Sequence, residues 1–296
     1  MDKFAPALGE FNLKCRKYSR MKKLILLIFF AGFVFYSCNT NPPSSPENSY
    51  PAGKIIATAT INLNQTPVQI NKIVLLEDFA NVSCVPCVTS NQIIESLLNG
   101  SYAGKIAVVK FPINWPSPYD PFYLANKPAC DERIAYYNIQ NAPTIMVDGT
   151  LEPNPVDSND IKLKLDERLT RTAQFSILVS KTFQDSSLII NIDVQAVGLA
   201  GINLNDLVLK SIIVENDIEF DQAPGSNGEK IFYNVLRKIL PADEGFSFSG
   251  KSTLQQPLVL NWEADLLSNW NPGNLHVVVF IQNNQTKEVL QTGSDY

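Results

Sequence analysis

The sequence contains very little histidine, and this scarcity excludes several classes of site. Its 296 residues include a single histidine, His276, beside 24 Lys and Arg and 29 Asp and Glu. A histidine-rich metal centre, a Ser-His-Asp hydrolase and a Cys-His protease all need an imidazole. His276 lies in an apolar run that is typical of a strand, where a lone histidine is more often structural than catalytic. We therefore predict no metal site and look for chemistry in another residue type.

The sequence has neither an excess of basic residues nor, near its N-terminus, an apolar run long enough to span a bilayer. The formal net charge is −5, which gives no basic footprint for nucleic acid. Lys22 and Lys23 precede an uncharged, mostly apolar run of 13 residues over 24–36, whereas a spanning helix needs about 20. This pattern predicts an export signal over residues 1–37, with Met21 as the true start.

The end of this signal resembles the lipobox of bacterial lipoproteins. Small Ser37 precedes Cys38, and the resemblance implies cleavage that leaves Cys38 as a lipidated N-terminus. Phe35 and Tyr36 are bulkier than the usual pattern, so an uncleaved anchor or ordinary secretion stays open. Residues 38–53 are rich in Pro, Ser and Asn, which predicts a flexible tether. The remaining chain has 17 basic and 27 acidic residues, so acyl chains rather than charge would hold it at the membrane.

The chain after the tether divides into two predicted domains. Residues 54–171 alternate strands (73–79, 106–111, 144–147) with helices (87–98, 129–138, 160–169), which is an α/β pattern. Residues 172–296 show short strands separated by turn residues, at 175–179, 188–194, 207–214, 258–262 and 275–281. This second pattern predicts an all-β sandwich of immunoglobulin-like type.

Two cysteines at the start of the first predicted helix carry the candidate chemistry. In Cys84-Val-Pro-Cys87, the helix N-terminus would stabilise a thiolate. The first cysteine would attack a disulfide, and the second would resolve the mixed disulfide. Half of a zinc site is the weaker interpretation, because no second Cys/His pair completes four ligands. A structural disulfide stays open.

Three landmarks around these cysteines resemble the thioredoxin-like family. They are the strand that leads into Cys84, the segment 108–111, and Ala142-Pro143-Thr144 before a strand. The resemblance implies that Asp78 is a buried proton-relay acid and that Lys110 faces it. It also implies a cis-proline at Pro143, with the Ala142 backbone binding substrate. The whole chain looks, more loosely, like thioredoxin-like outer-membrane lipoproteins of Gram-negative bacteria.

Several of these residues have a structural alternative. Asp78 has a competitor in Glu77 for the inward position on its strand, and Lys110 is an exposed surface lysine in the simpler interpretation. Cys130 is either a small buried side chain or a third redox thiol. The aromatic residues of the Pro-rich segment, namely Trp115, Tyr119, Phe122 and Tyr123, form either local packing or an aromatic rim for unfolded chains.

Two functional hypotheses follow. The first is a lipid-anchored thiol–disulfide oxidoreductase of the cell envelope that needs no dissociable cofactor, with a preference for reduction over oxidation. Cys84 and Cys87 would be its dithiol, protein thiols and disulfides its substrates, and an electron-donor protein its partner. The second is a non-catalytic binding or adhesion lipoprotein, in which the disulfide is structural. Both place the protein at the outer membrane, on its periplasmic or surface side, without nucleic acid.

Overall fold

The computed structural model describes residues 54–55, 70–250 and 257–296. The predicted signal, the lipidated Cys38 and nearly all of the tether lie outside the described residues. All of the described residues belong to one compact unit. None of the helices in the described ranges has the length and apolar character to cross a membrane.

The described ranges contain fourteen strands, four α-helices and two short 3-10 helices. The strands are β1 Lys54–Ile55, β2 Val74–Ala80, β3 Ile106–Pro112, β4 Thr144–Val147, β5 Phe175–Gln184, β6 Ser187–Ala196, β7 Leu207–Glu215, β8 Ile218–Glu219, β9 Ile231–Phe232, β10 Val235–Leu240, β11 Phe246–Ser247, β12 Leu258–Asp265, β13 Leu275–Asn283 and β14 Val289–Ser294. The helices are α1 Val85–Leu98, α2 Pro121–Ala125, α3 Lys127–Tyr137 and α4 Ser158–Leu169, and the 3-10 helices are Leu204–Asp206 and Pro272–Asn274. The predicted elements are confirmed to within a few residues. The strands β10 and β14, the two-residue strands β1, β8, β9 and β11, and the short helix α2 have no predicted counterpart.

One mixed sheet joins the two halves of the described chain. Its strand order is β14-β13-β7-β10-β3-β2-β4, and β11 adds to β7. The joint is the parallel pairing of β10 with β3, where Val235 lies opposite Lys110. The Lys110 amide also donates a hydrogen bond of 2.8 Å to the Asn234 carbonyl. The strands predicted to form an α/β domain therefore continue into strands predicted to form a separate sandwich.

This continuity overturns the predicted fold class. The structure is mostly β with few helices, rather than an α/β thioredoxin-like domain followed by an immunoglobulin-like sandwich. The physical reason lies in β7 and β13, which are buried along almost their whole length. A strand covered on one face alternates in hydrophobicity, whereas a strand covered on both faces is apolar throughout. These strands form the middle of a large sheet with two covered faces.

Different elements cover the two faces of the large sheet. On one face, α2 and α3 pack over β2, β3, β7, β10 and β13 through a core that includes Phe79, Phe111 and Phe280. On the other face, α1 and α4 cover β2, β3 and β4 through Ile94 and Leu165. The four-stranded sheet β1-β12-β6-β5 covers the C-terminal strands on that same face.

A buried ion pair ties α3 to the middle of the large sheet. Glu77 on β2 is fully buried and accepts two hydrogen bonds from Arg133, Nε to Oε1 at 2.6 Å and Nη2 to Oε2 at 2.9 Å. The Tyr137 hydroxyl donates to Glu77 Oε2 at 2.7 Å. Burial by itself lowers the pKa of Arg133, but the Glu77 carboxylate outweighs it and raises that pKa above its usual value. Arg133 therefore stays charged inside the core.

We predict that Arg133→Met destabilises the protein by about 3–5 kcal/mol, because it leaves the Glu77 carboxylate buried without its partner. Equilibrium unfolding in urea measures the change. The matched control is Lys127→Ala, which breaks the exposed Lys127–Asp131 pair on the same helix and is expected to cost no more than about 1 kcal/mol. Equal losses in the two variants would contradict the role assigned to the buried pair.

Candidate functional site

The Cys84–Cys87 pair lies at the junction between β2 and α1. The two cysteines form a disulfide, and Cys84 is the N-cap of the helix, with its sulfur accepting a hydrogen bond of 3.2 Å from the Cys87 amide. Pro86 occupies the first turn, where a missing N–H has no helical partner to lose. Cys84 is 2% exposed and Cys87 is 0% exposed. The residues that reach solvent in this motif are Val85 and Pro86.

A loop from the C-terminal half lies against the segment that carries Cys84. In this loop, residues 225–229, the Asn227 amide donates to the Val82 carbonyl at 3.2 Å. The Asn227 side chain donates to the Cys84 carbonyl at 3.4 Å, and the Ser226 amide donates to the Ser83 hydroxyl at 3.3 Å. The approach is close, since a Cβ on Gly225 would lie 2.2 Å from the Val82 carbonyl oxygen. Glycine is therefore required at residue 225 for space.

A second fixed segment holds the same turn from the other side. Asp120, the N-cap of α2, accepts hydrogen bonds from the amides of Val82 (2.8 Å), Phe122 (2.8 Å) and Tyr123 (3.1 Å). Burial raises the pKa of Asp120, although these three bonds act in the opposite direction. Asn81 donates to the carbonyls of Ile113 and Ser117. The turn before Cys84 is therefore hydrogen-bonded on both sides.

The structure brings together the remaining residues that the sequence predicts for the site. Asp78 and Lys110 form a buried ion pair, with Nζ 3.0 Å from Oδ2. The Ala142–Pro143 peptide bond is cis, and Ala142 packs against the cluster of Ala80, Cys84 and Cys87. Glu77 and Asp78 are both buried because both faces of β2 are covered. The catalytic and substrate-binding roles of these residues stay predictions.

Cys130 belongs to the core rather than to this cluster. It is fully buried and packs among the residues beneath α3. Burial raises the pKa of the Cys130 thiol well above its usual value, and a protonated buried thiol reacts slowly. Within the described ranges, no group of three or more His, Cys, Asp and Glu side chains is placed to hold a metal ion.

No pattern in the sequence predicts that the 225–229 loop lies at this site. The segment has the Gly, Ser and Asn content of an ordinary turn, and its position depends on the pairing of β10 with β3. Glu229 is also part of the surroundings, since the Asn91 side chain on α1 donates to its carboxylate at 2.8 Å. Contacts between segments so distant in the chain leave no pattern in the local sequence from which they could be predicted.

We predict that Gly225→Ala makes the disulfide more accessible, because the added Cβ forces the loop away from Val82. The rate of reduction by dithiothreitol under native conditions is expected to rise about tenfold, which corresponds to about 1.4 kcal/mol of easier local opening. The matched control is Gly198→Ala, where a Cβ meets nothing within 4 Å. An unchanged rate in Gly225→Ala would show that the loop does not restrict access.

Comparisons with known proteins locate the chain among its relatives. Residues 131–295 match the family described as outer membrane protein Omp28. Among solved structures, HBP35 of Porphyromonas gingivalis is similar, with a TM-score of 0.61 and 15% sequence identity over 76% of this chain and 75% of that one. At this identity, the likeness shows the fold alone. No curated protein sequence matches the chain.

Two further solved structures are more distant. A protein from Agrobacterium tumefaciens has a TM-score of 0.49 and 13% identity, over 77% of this chain and 95% of that one. A domain of the outer membrane lipoprotein Omp28 from Porphyromonas gingivalis has a TM-score of 0.28 and 18% identity, over 41% of this chain and 86% of that one. Neither similarity is strong enough to support a conclusion.

These findings correct the predicted family and confirm the predicted location. The resemblance to the thioredoxin-like family is wrong as an assignment, because the family that matches is Omp28 and the fold likeness is to HBP35. The prediction of an exported protein, lipid-anchored at the cell envelope, is confirmed by this family, while Cys38 as the lipidated residue stays a prediction. Since the match covers more than half of the sequence, the chain belongs to the Omp28 family of outer membrane proteins.

Proposed function

We propose that the protein is a non-catalytic binding lipoprotein of the outer membrane, in which Cys84–Cys87 is a structural disulfide. The observation that carries this proposal is the burial of both cysteines, at 2% and 0% exposure. Thiol–disulfide exchange requires a thiolate to reach one of the two sulfurs. A buried pair offers no such approach until the surrounding segments move.

The surroundings of the disulfide support a structural role. The 225–229 loop is hydrogen-bonded to residues 82–84, so a substrate chain would have to displace contacts that already exist. Proteins exported from the cytoplasm meet oxidising conditions, under which structural disulfides persist. In the chain-entropy account, closing so short a loop stabilises the folded state by about 2 kcal/mol. The bond then fixes the turn between β2 and α1.

The surface near this turn supports a binding role. Trp115 is 57% exposed and Tyr119 is 81% exposed, on a segment that Asn81 holds through hydrogen bonds to the carbonyls of Ile113 and Ser117. Exposed tryptophan and tyrosine are typical anchors of protein interfaces, and a segment that is already fixed loses little entropy on binding. The partner proposed for this surface is a protein, and the membrane contact is the lipid anchor.

The test of this proposal is a pair of thiol assays on the oxidised protein. We expect insulin reduction by dithiothreitol to run no faster with the protein than without it. We also expect the Cys87→Ser variant, expressed in the cell envelope, to trap no more mixed disulfides than Cys84→Ser/Cys87→Ser. The double variant cancels any contribution of Cys38 and Cys130.

The rival hypothesis is an oxidoreductase with protein thiols as substrates and an electron-donor protein as partner, and it predicts the opposite results. Accelerated insulin reduction, or mixed disulfides specific to Cys87→Ser, would overturn the proposal. The double variant also reports on the structural role. Its free energy of unfolding is expected to fall by about 2 kcal/mol. Its results in the insulin and trapping assays are expected to match those of the protein with both cysteines.

A further inference from the structure

A cavity of about 230 Å³ lies between α1, the strands β2 and β3, and the segment 229–234. Val108 and Phe232, which are both buried, contribute apolar lining, and Tyr233 contributes a second aromatic ring. Ile231, which also lines the cavity, is 42% exposed. The cavity therefore has a side that solvent and small molecules can reach. It is separate from the disulfide.

The charges that line this cavity are mostly negative. Three carboxylates, Asp78, Glu95 and Glu229, line it together with one cation, Lys110. Lys110 is already engaged, because its ammonium lies 3.0 Å from Asp78 Oδ2 and donates to the Asn91 side chain. One lysine cannot balance three carboxylates, so the cavity favours an additional cation.

Asp78 has an unmet hydrogen-bonding capacity that faces this space. Its side chain is fully buried; Oδ2 lies 3.0 Å from the Lys110 ammonium, whereas Oδ1 accepts no hydrogen bond from the described residues. Glu229 differs, since it accepts from Asn91 at 2.8 Å and from Asn227 at 2.6 Å. A buried carboxylate oxygen without a donor is costly, and the unpaired Oδ1 therefore calls for a specific explanation. A donor supplied by a ligand would satisfy it.

Glu95, which is partly buried, lies on α1 at the same cavity and adds a second carboxylate. It accepts hydrogen bonds from Asn234 Nδ2 at 2.9 Å and from Asn99 Nδ2 at 3.3 Å. Burial raises the pKa of Glu95, although Lys110 acts in the opposite direction. A cation bound in the cavity would stabilise the charged form of Glu95.

We propose that this cavity binds a small primary alkylammonium. An ammonium group carries three N–H donors, one of which would donate to the open Asp78 Oδ1, and the alkyl part would contact Val108 and Phe232. Aromatic rings such as Tyr233 also attract cations. The volume lies below the roughly 300–1,000 Å³ of pockets for drug-sized ligands, which limits the ligand to a small molecule or a single side chain. The described residues hold no group suited to a metal ion, which favours an organic cation.

This inference rests on the proposed binding function, for which it names a ligand class. The proposed function and the ligand of the cavity are tested by different experiments. The thiol assays test the role of the disulfide, and amine binding tests the cavity. An alkylammonium has two sources: a free amine, or the lysine side chain of a partner protein. Both present the same chemistry to Asp78, and the experiment distinguishes them with two probes.

The test is saturation-transfer NMR on the full chain with n-butylammonium at millimolar concentration. We expect transfer to the butylammonium protons and none to butyrate or n-butanol, which have similar alkyl chains without the positive charge. The second probe is Nα-acetyl-lysine methylamide. Binding of both probes with equal or greater affinity for the lysine amide identifies a partner's side chain, and binding of butylammonium alone identifies a free amine.

Three variants test the residues. Asp78→Asn is expected to weaken butylammonium binding at least about tenfold, as expected for the loss of a close charge partner. Asp193→Asn, on an exposed position of β6, is expected to leave it unchanged. Lys110→Met removes the competing cation and is expected to strengthen binding about tenfold. If the Asp78–Lys110 ion pair has only a structural role, Lys110→Met will bind butylammonium no more tightly than the wild-type chain.

Two results would overturn the proposal. One is the absence of saturation transfer to butylammonium in the wild-type chain. The other is equal transfer to butyrate, which would show non-selective contact. If Asp78→Asn unfolds, as circular dichroism would show, Glu95→Gln takes its place, with a loss of affinity of about fivefold expected because a second, more distant carboxylate is removed.

Discussion

The pairing of β10 with β3 is the constraint on which the rest of the structure depends. It inserts a strand from the C-terminal half between β7 and β3, so that both halves share one sheet. Because β10 begins at Val235 beside Lys110, the residues that precede it pass the N-terminal end of α1. The 225–229 loop thereby meets residues 82–84, and residues 229–234 close the cavity beneath α1. The contact of the 225–229 loop with the segment that carries Cys84 and the existence of the cavity both follow from this one strand pairing.

The second organising feature is the burial of charge on β2. Glu77 and Asp78 are neighbours, and the alternation of a strand directs them to opposite faces. Glu77 faces α3, where Arg133 and Tyr137 satisfy it with three hydrogen bonds. Asp78 faces α1, where its Oδ2 pairs with the Lys110 ammonium and its Oδ1 accepts no hydrogen bond from the described residues. Both carboxylates are buried, but only Glu77 has hydrogen-bond donors for both of its oxygens. Glu77 therefore supports the fold, whereas Asp78 is open to a ligand.

Local patterns in the sequence were sufficient for most helices and strands but not for the way they assemble. The apolar runs at β3, β7 and β13 and the helical spacing of α1 predict those elements, and the Cys84–Cys87 spacing predicts their bond. β10 escapes prediction because Arg237 and Lys238 interrupt its apolar pattern. Arg237 is buried there only because Glu215 on β7 accepts from its Nε at 2.7 Å. This ion pair depends on a neighbouring strand, so the sequence of β10 alone does not predict it. The predicted fold class was wrong for the same reason, because it too depends on how distant strands pair.

The rate at which dithiothreitol reduces the Cys84–Cys87 disulfide, measured as a function of urea, reports whether the fold keeps both sulfurs away from solvent. Reduction of the native protein by dithiothreitol is expected to be at least about a hundredfold slower than reduction of the unfolded chain, as for a local opening that costs about 3 kcal/mol. The rate should also rise with urea well below the unfolding transition. A rate that equals that of the unfolded chain and does not depend on urea would contradict the account, because the sulfurs would then be accessible without any opening of the structure.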